Sequence, residues 1–201
     1  MKYLIGLCGT HGTGKSTILQ GVKAAGYAVN EAQLSRTAQK NLGWDTLGRA
    51  QESDKNMWAL QDAIIDALEA RDQAVQDSGV FTLVERTPAD LWAYTAMWCQ
   101  RLGIDTATDQ RAIDYRARCD RLALNYLRFM VVVPDASIPF QEDPHRADLA
   151  SRRFVEREID SFLFRGAYPT YIIKTTAREH RIAEACALMR TPLIAPSKDH
   201  I

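Results

Sequence analysis

An octapeptide near the start of the chain has the residue types and the spacing that bind a triphosphate. It fits the pattern G-x-x-x-x-G-K-[ST] and reads Gly9, Thr10, His11, Gly12, Thr13, Gly14, Lys15 and Ser16. Its glycines let successive backbone N–H groups turn toward an anion, and the helix that follows adds the positive end of its dipole. We therefore expect this loop, with the adjoining Thr17, to bind a nucleoside triphosphate. Lys15 would lie between the β- and γ-phosphates, and the Ser16 hydroxyl would bind Mg²⁺.

Two details of this P-loop limit its interpretation. His11 has a side chain that can act as a base, but it occupies a variable position where an ordinary loop residue is the simpler interpretation. The dinucleotide-binding pattern G-x-G-x-x-G does not fit, because Thr17 stands where the last glycine would follow Gly12 and Gly14. The loop predicts a triphosphate and a metal ion and leaves the phosphate acceptor open.

A second pair of chemically capable residues, Glu85 and Arg86, follows the apolar run at residues 80–84. The carboxyl ends of strands face the ligand crevice in open α/β sheets. There, Glu85 would either hold Mg²⁺ or remove a proton from an acceptor hydroxyl, and Arg86 would bind phosphate oxygens. A phosphate acceptor is already anionic at neutral pH and needs no base, whereas a hydroxyl does. A solvated ion pair at a strand end is the alternative interpretation.

The elements that must position these residues alternate between strands and helices. Short apolar runs predict five strands buried on both faces, at residues 3–8, 27–30, 80–84, 128–133 and 168–173. Helical periodicity and start signals predict helices at residues 15–25, 31–41, 54–77, 88–101, 109–127, 147–164 and 178–190. This order predicts an α/β fold of three layers with a mainly parallel sheet. Residues 43–53 and 102–108 are predicted to be loops, and the aromatic residues of 88–101 are assigned to the core before any ligand.

Composition supports one compact domain and argues against a membrane-spanning protein and against a protein that binds nucleic acid tightly and nonspecifically. The chain has 201 residues, with 25 Lys+Arg against 25 Asp+Glu, so excess positive charge cannot hold nucleic acid tightly and nonspecifically. Eighteen of the 25 cations are arginine, the side chain that binds phosphate in a bidentate manner. The apolar run at residues 129–133 is far too short to cross a membrane, and we expect a cytoplasmic protein. The four cysteines are widely spaced and are expected to be buried apolar residues.

The P-loop followed by Glu85-Arg86-Thr87-Pro88-Ala89-Asp90 resembles the P-loop nucleotide kinases of the thymidylate kinase and deoxynucleoside kinase group. Residues 35–44 are similar to bacteriophage-type members. Some of these phosphorylate free deoxynucleoside monophosphates, and others phosphorylate 5-hydroxymethyluracil already in DNA. The resemblance implies a P-loop NTPase fold with ATP and Mg²⁺, in the host cytoplasm if the protein is viral. It predicts a kinase that transfers the γ-phosphate to a pyrimidine deoxynucleotide-type acceptor, either 5-hydroxymethyluracil in DNA or a free monophosphate. A kinase similar to nicotinamide riboside kinases, and an ATPase or switch without a small acceptor, are the alternatives.

The resemblance also implies site residues beyond the P-loop. Glu85 would take the carboxylate role, with Mg²⁺ or the acceptor proton, and Arg86 the acceptor or transition-state role. A helical lid over about residues 138–165 would bring Arg146 and Arg153 to the transferring phosphoryl group, although a solvated helix with Glu–Arg pairs is equally compatible with this stretch. Glu31 and Arg36 would lie on the acceptor side, or else form a helix cap and a solvated face. Residues 1–201 would then form a single kinase domain with a flexible tail at 192–201, and the oligomeric state stays open.

Overall fold

A five-stranded parallel sheet forms the centre of the protein. The structure is a computed structural model that describes residues 1–31, 33–134 and 149–190. Its strands are β1 (Leu4–Cys8), β2 (Ala28–Asn30), β3 (Thr82–Glu85), β4 (Tyr126–Val132) and β5 (Thr170–Ile173). They lie in the order β2-β3-β1-β4-β5, and each pair of neighbours is parallel. The predicted α/β fold and its five parallel strands are confirmed.

Helices cover both faces of this sheet. They are α1 (Lys15–Ala24), α2 (Leu34–Asn41), α3 (Asp54–Ser78), α4 (Pro88–Arg101), α5 (Gln110–Ala123), α6 (Leu149–Arg165) and α7 (Arg178–Arg190). Side chains of β1 alternate between two cores. Ile5 and Leu7 pack with residues of α1 and α7, whereas Leu4 and Cys8 pack with residues of α2 to α6. Two helical layers therefore enclose the sheet, as the strand and helix pattern predicts.

The cysteines behave as the apolar residues that their spacing predicts. All four are buried and carry free thiols, namely Cys8, Cys99, Cys119 and Cys186. Burial raises the pKa of each thiol, which keeps it protonated and unreactive.

Several boundaries differ from prediction. Helix α5 ends at Ala123 and not at residue 127, and β4 begins at Tyr126 and not at residue 128. Two further differences have local reasons. Helix α2 begins at Leu34, its first buried residue, and not at residue 31, so Glu31 precedes the helix. The predicted loop at residues 43–53 contains a 3₁₀-helix (Leu47–Gln51), because the Thr46 hydroxyl accepts a hydrogen bond from the Gly48 N–H and caps it. This short helix packs on α2 and α3 beside the sheet.

The sheet register brings the two predicted motifs together. Leu7 of β1 pairs with Glu85 of β3, so the P-loop and the Glu85–Arg86 pair leave the same edge of adjacent strands. Helix α6 covers the second part of the predicted lid. Arg146, with the rest of the lid and the tail at 192–201, lies outside the described residues. Within the described ranges, the helices are too short or too polar to span a membrane.

Candidate active site

The P-loop is shaped by its own side chains and by glycines with positive φ angles, at which a side chain would be strained. Gly9 has a φ of 138°, and a Cβ at this position would lie 2.7 Å from the Val132 carbonyl oxygen. Gly14, with a φ of 87°, is the residue from which α1 begins. The buried Thr13 hydroxyl donates to the Thr10 carbonyl at 2.9 Å and closes the loop. The loop therefore has its curvature without a ligand having to impose it.

Lys15 places a charged group inside this loop. Its Nζ donates to the carbonyl oxygens of Gly9 at 2.8 Å and Thr10 at 2.6 Å. Burial, reinforced by the nearby Arg86, lowers the pKa of Lys15 to about 8, although Asp90 and Glu85 act in the opposite direction. A buried cation of this kind gains most from an anionic partner, which is the condition for binding a phosphate.

The lowered pKa of Lys15 predicts that use of ATP declines at alkaline pH. Catalysis needs the ammonium form, and the free protein loses this proton as the pH rises through about 8. We expect kcat/KM for ATP to fall about tenfold per pH unit above that point. The fall in kcat should come at higher pH, because bound phosphates favour the charged lysine. Steady-state rates over the pH range at saturating acceptor measure both quantities, and a flat kcat/KM to pH 10 would contradict the assignment.

Glu85 and Arg86 occupy a bend at the end of β3. Arg86 has a φ of 63°, a left-handed conformation that is unusual for a residue with a side chain. Both residues are half-buried and line the same cavity as Lys15. The Arg86 guanidinium lies over the ring of Tyr94, 5.2 Å from its centroid. The structure thus brings together the two motifs that the sequence places 70 residues apart.

Asp90 joins the P-loop to the first turn of α4. Its carboxylate accepts hydrogen bonds from the Gly9 N–H at 3.1 Å, the Thr87 N–H at 2.9 Å and the Thr87 hydroxyl at 2.8 Å. Thr87 and Asp90 form a capping box, for which Thr-x-x-Asp is the sequence signal. The Thr-x-x-Asp signal identifies the start of α4. The hydrogen bond from the Gly9 N–H to Asp90 cannot be predicted from it, because that bond depends on the fold.

Arg181 fixes the loop from the other face of the sheet. This buried residue of α7 donates to the carbonyl oxygens of Thr13 at 2.6 Å, Val133 at 3.1 Å and Thr175 at 2.5 Å. The sequence analysis missed it, because an arginine on a late helix rich in charged residues has the pattern of a solvated side chain. The P-loop is therefore clamped by one carboxylate and one guanidinium from distant helices.

A cavity of about 780 Å³ adjoins the P-loop. His11, Gly12, Gly14, Lys15, Ser16 and Thr17 form one part of its wall, together with Glu85 and Arg86. Other parts come from α2, the 3₁₀-helix, α3 and α4, including Leu34, Ser35, Gln39, Leu47, Leu60, Gln61, Ile64, Leu91, Tyr94, Met97 and Trp98. The expectation that the aromatic residues of α4 serve the core is correct for Trp92. Tyr94 and Trp98 also pack against this core, but they are half-buried and line the cavity wall.

His11 is more than an ordinary loop residue in this structure. Its Nδ1 lies 2.7 Å from the Tyr94 hydroxyl, and the two rings are nearly parallel with centroids 5.7 Å apart. Tyr94 in turn contacts Arg86. The P-loop is thus connected through one aromatic side chain to the strand end and the cavity wall.

The two residues that were expected to bind the acceptor do not reach this cavity. Glu31 and Arg36 are exposed, and Arg36 donates to the side chain of Gln33 at 3.1 Å. Leu34 and Ala38 form the buried face of α2, so residue 36 lies on its outer face. Ser35 and Gln39 of the same helix line the cavity instead.

The arginine of α6 beside the P-loop is Arg152. This buried side chain contacts Glu156 at 3.2 Å, and Glu156 accepts a hydrogen bond from the Thr10 hydroxyl at 3.3 Å. Arg153, which the sequence analysis selected, is exposed, and neither arginine is part of the cavity wall. The helical phase decides the difference, because Arg152 shares a face with the buried Val155 and Ile159.

This geometry predicts unequal effects of two neighbouring substitutions. Arg152→Ala should lower kcat about tenfold, because it removes the partner of the Glu156 carboxylate, which accepts a hydrogen bond from the Thr10 hydroxyl of the P-loop. Arg153→Ala should change kcat less than about twofold, as is usual for an exposed residue without such contacts. Steady-state kinetics of both variants, with thermal unfolding to confirm the fold, make the comparison. Equal effects of the two changes, or a larger loss for Arg153→Ala, would contradict it.

The oxygen groups at the phosphate end of the cavity fit a magnesium ion. Ser16 offers a hydroxyl in the first turn of α1, and Glu85 offers a carboxylate on the same cavity wall. The described residues contain no cluster of three or more His, Cys, Asp or Glu side chains that would form a complete metal cage. Mg²⁺ usually takes few protein ligands and completes its shell with water and substrate phosphates. When bound, the ion would neutralise charge on those phosphates.

Comparison with known proteins defines the class of this fold. A structure of deoxyadenosine kinase from M. mycoides with bound dATP is 13% identical, with a TM-score of 0.67 over 94% of this chain and 100% of that chain. A second structure of that enzyme, with bound dCTP, is 12% identical, with a TM-score of 0.65 over 92% and 98%. Thymidylate kinase from Ehrlichia chaffeensis is 10% identical, with a TM-score of 0.58 over 94% and 99%. The protein therefore has the P-loop kinase fold.

The family of the chain follows from its sequence match. A family described as an AAA domain matches residues 4–181, and the chain belongs to this family. The search of curated proteins finds no match.

Proposed function

We propose that the protein is a phosphotransferase that moves the γ-phosphoryl group of ATP to the hydroxyl of a nucleoside-type acceptor. The observation that carries the proposal is the single cavity of about 780 Å³, whose wall contains the P-loop, Glu85, Arg86 and a set of apolar and aromatic side chains. A protein that only binds or hydrolyses ATP needs the P-loop, but it does not need an apolar wall that could hold an acceptor. The P-loop kinase fold supports the same conclusion.

In this proposal, different residues of the cavity wall have different roles. Lys15 and Ser16 arrange the triphosphate and its metal ion, and Arg86 offsets the charge that develops on the transferring group. Glu85 takes the proton of the acceptor hydroxyl. The acceptor ring would lie among Leu60, Ile64, Leu91, Met97 and Trp98. The side chain of Gln61 can form a hydrogen bond with the polar edge of the acceptor ring. The Thr95 hydroxyl orients the Gln61 amide by donating to its oxygen at 3.0 Å.

The charges of the wall favour a hydroxyl over a phosphate acceptor. Among the described residues, its cations are Lys15, Arg86 and Arg101. Lys15 belongs to the phosphate loop, and Arg101 lies on the Trp98 ring and donates to Ser151 at 2.8 Å. Arg86 is thus the remaining cation for an acceptor phosphate, next to the negative charge of Glu85. A hydroxyl acceptor, by contrast, needs a carboxylate at this position.

Other acceptors stay within the proposal as weaker candidates. A bacteriophage-type kinase that modifies a pyrimidine in DNA draws support from residues 35–44, which contribute Ser35 and Gln39 to the cavity wall. The zero formal net charge of the chain opposes tight DNA binding. Free deoxynucleoside monophosphates are disfavoured, because Arg86 is the remaining cation of the wall for an acceptor phosphate and lies next to the negative charge of Glu85. The description of the family as an AAA domain favours an ATPase without a small acceptor as the second candidate.

The test is to follow the label of γ-labelled ATP with Mg²⁺ and separate pools of acceptors. The pools are pyrimidine and purine deoxynucleosides, nicotinamide riboside, deoxynucleoside monophosphates, and DNA containing thymine or 5-hydroxymethyluracil. We expect label on a nucleoside. Label on monophosphates or DNA alone would overturn the hydroxyl-nucleoside assignment, and label only in inorganic phosphate would favour the ATPase.

A further inference from the structure

A buried charged cluster lies behind the strand end that carries Glu85 and Arg86. It consists of Arg71 and Asp72 of α3 and Tyr126 of β4, each less than a tenth exposed. None of the three lines the cavity, so none can contact a ligand there. The cluster nevertheless touches the backbone of both residues that the proposed chemistry needs.

Arg71 is the centre of the cluster. Its Nη1 donates to the carbonyl oxygens of Glu85 at 2.5 Å and Arg86 at 3.0 Å. Its Nε and Nη2 donate to one oxygen of Asp72 at 2.9 and 2.6 Å, and Nη2 also reaches the Tyr126 hydroxyl at 2.8 Å. That hydroxyl donates to the other oxygen of Asp72 at 2.9 Å. The guanidinium is therefore fixed on one side and holds the backbone on the other.

The contact with two successive carbonyl groups explains the unusual backbone of Arg86. In an extended strand, successive carbonyls point in opposite directions, so one donor cannot reach both. The φ of 63° at Arg86 turns the chain so that both oxygens face Arg71. This conformation costs energy for a residue with a Cβ and persists only where its surroundings hold it.

Burying the charges of Arg71 and Asp72 costs free energy, because both groups lose their hydration. Burial raises the pKa of Asp72, even though the adjacent Arg71 acts to lower it. Apolar residues in the same place are often as stabilising as a buried ion pair. A role in fixing the bend accounts for a cost that a stability role does not.

We propose that Arg71, held by Asp72 and Tyr126, is a positioning residue that fixes the bend at Glu85–Arg86 and thereby directs both side chains into the cavity. The part that concerns turnover rests on the proposed phosphotransferase function. The part that concerns the backbone does not, and this allows the two to be tested separately.

Tyr126→Phe is the main test, because it removes one hydroxyl and keeps the ring that stacks on Phe129 with centroids 5.0 Å apart. We expect kcat to fall about tenfold, with KM for ATP changed less than about twofold, since the P-loop is untouched. Hydrogen exchange of the amides at residues 85–87, measured without substrates, should accelerate about tenfold. Arg71→Lys, which keeps the charge but not the fork, should have a larger effect in the same direction.

Tyr168→Phe is the matched control. Tyr168 also packs on Phe129, and its hydroxyl donates to the Asp120 carbonyl, away from the strand end. This variant should keep both kcat and the exchange rates at residues 85–87. The proposal is overturned if Tyr126→Phe leaves both quantities unchanged, or if Tyr168→Phe lowers kcat and accelerates the exchange to the same extent. If the wild type transfers no phosphate, the function is wrong, and the exchange rates alone decide whether Arg71 holds the bend.

Discussion

Lys15→Ala is expected to lower kcat/KM for ATP about 1,000-fold while the protein stays folded. The substitution removes the one ammonium that the P-loop encloses, and a single group aimed at developing phosphate charge is worth this much. Folding should survive, because the change also removes a buried charge whose pKa burial lowers to about 8. Loop curvature depends mainly on Gly9, Thr13, Asp90 and Arg181.

Lys23→Ala provides the comparison for this experiment. Lys23 is an exposed lysine in the last turn of the same helix, far from the loop end. Its removal tests whether loss of a positive charge on α1 matters at all, and we expect no measurable change in turnover. Initial rates with ATP, together with thermal unfolding curves, give both answers. Activity of Lys15→Ala within tenfold of the wild type would show that the phosphate site is elsewhere.

Glu85→Gln should lower kcat about 100- to 1,000-fold with the preferred hydroxyl acceptor and leave KM for ATP nearly unchanged. The amide has the shape of the carboxylate but cannot accept the acceptor proton, and general-base catalysis contributes about this much. Asp45→Asn is the matched control, since Asp45 is an exposed carboxylate elsewhere on the same wall. It should affect KM for the acceptor at most.

Magnesium dependence separates the two roles open to Glu85. If its carboxylate takes a proton, the loss in kcat persists at every Mg²⁺ concentration. If it mainly holds the metal ion, higher Mg²⁺ restores most of the rate, because mass action replaces the lost ligand. Initial rates of the wild type and Glu85→Gln over a Mg²⁺ titration give this result. Recovery at high Mg²⁺ would contradict the role as a base and remove one argument for a hydroxyl acceptor.

Features that depend on neighbouring residues could be predicted from the sequence. The P-loop spacing, the apolar runs of β1 and β4 and the Pro88 start of α4 each depend on fewer than about ten residues, and the structure has all of them. Parallel order then places Glu85 beside the P-loop, because the carboxyl ends of strands share one edge of the sheet.

Helical phase, which the sequence analysis did not apply to α2 and α6, decides which arginines are exposed. Arg152 and Arg153 differ by about 100° around α6, and the buried positions Val155, Ile159 and Phe162 select the face of Arg152. The same argument, applied to Leu34 and Ala38, places Arg36 on the outer face of α2. The 3.6-residue period of each helix therefore predicts that Arg152 is buried and that Arg153 and Arg36 are exposed.

Contacts between distant parts of the chain left no signal in the sequence. Arg181 bonds to the carbonyl of Thr13 across 168 residues, and Arg71 bonds to the hydroxyl of Tyr126 across 55. Each is an arginine on a helix that carries several charged residues, and arginine side chains usually lie in solvent. Their distant partners are backbone carbonyls or a tyrosine hydroxyl, and the neighbouring Asp72 beside Arg71 has the pattern of a solvated ion pair.

The most direct measurement of the central claim is the destination of the γ-phosphate of ATP. The wild-type protein is incubated with γ-labelled ATP, Mg²⁺ and a mixture of nucleosides, and the labelled products are compared with the ADP formed. Phosphoryl transfer predicts about one labelled nucleoside monophosphate for each ADP, with little inorganic phosphate, because the apolar cavity favours the bound hydroxyl over water. Labelled inorganic phosphate equal to the ADP, at a rate that no acceptor changes, would contradict the account.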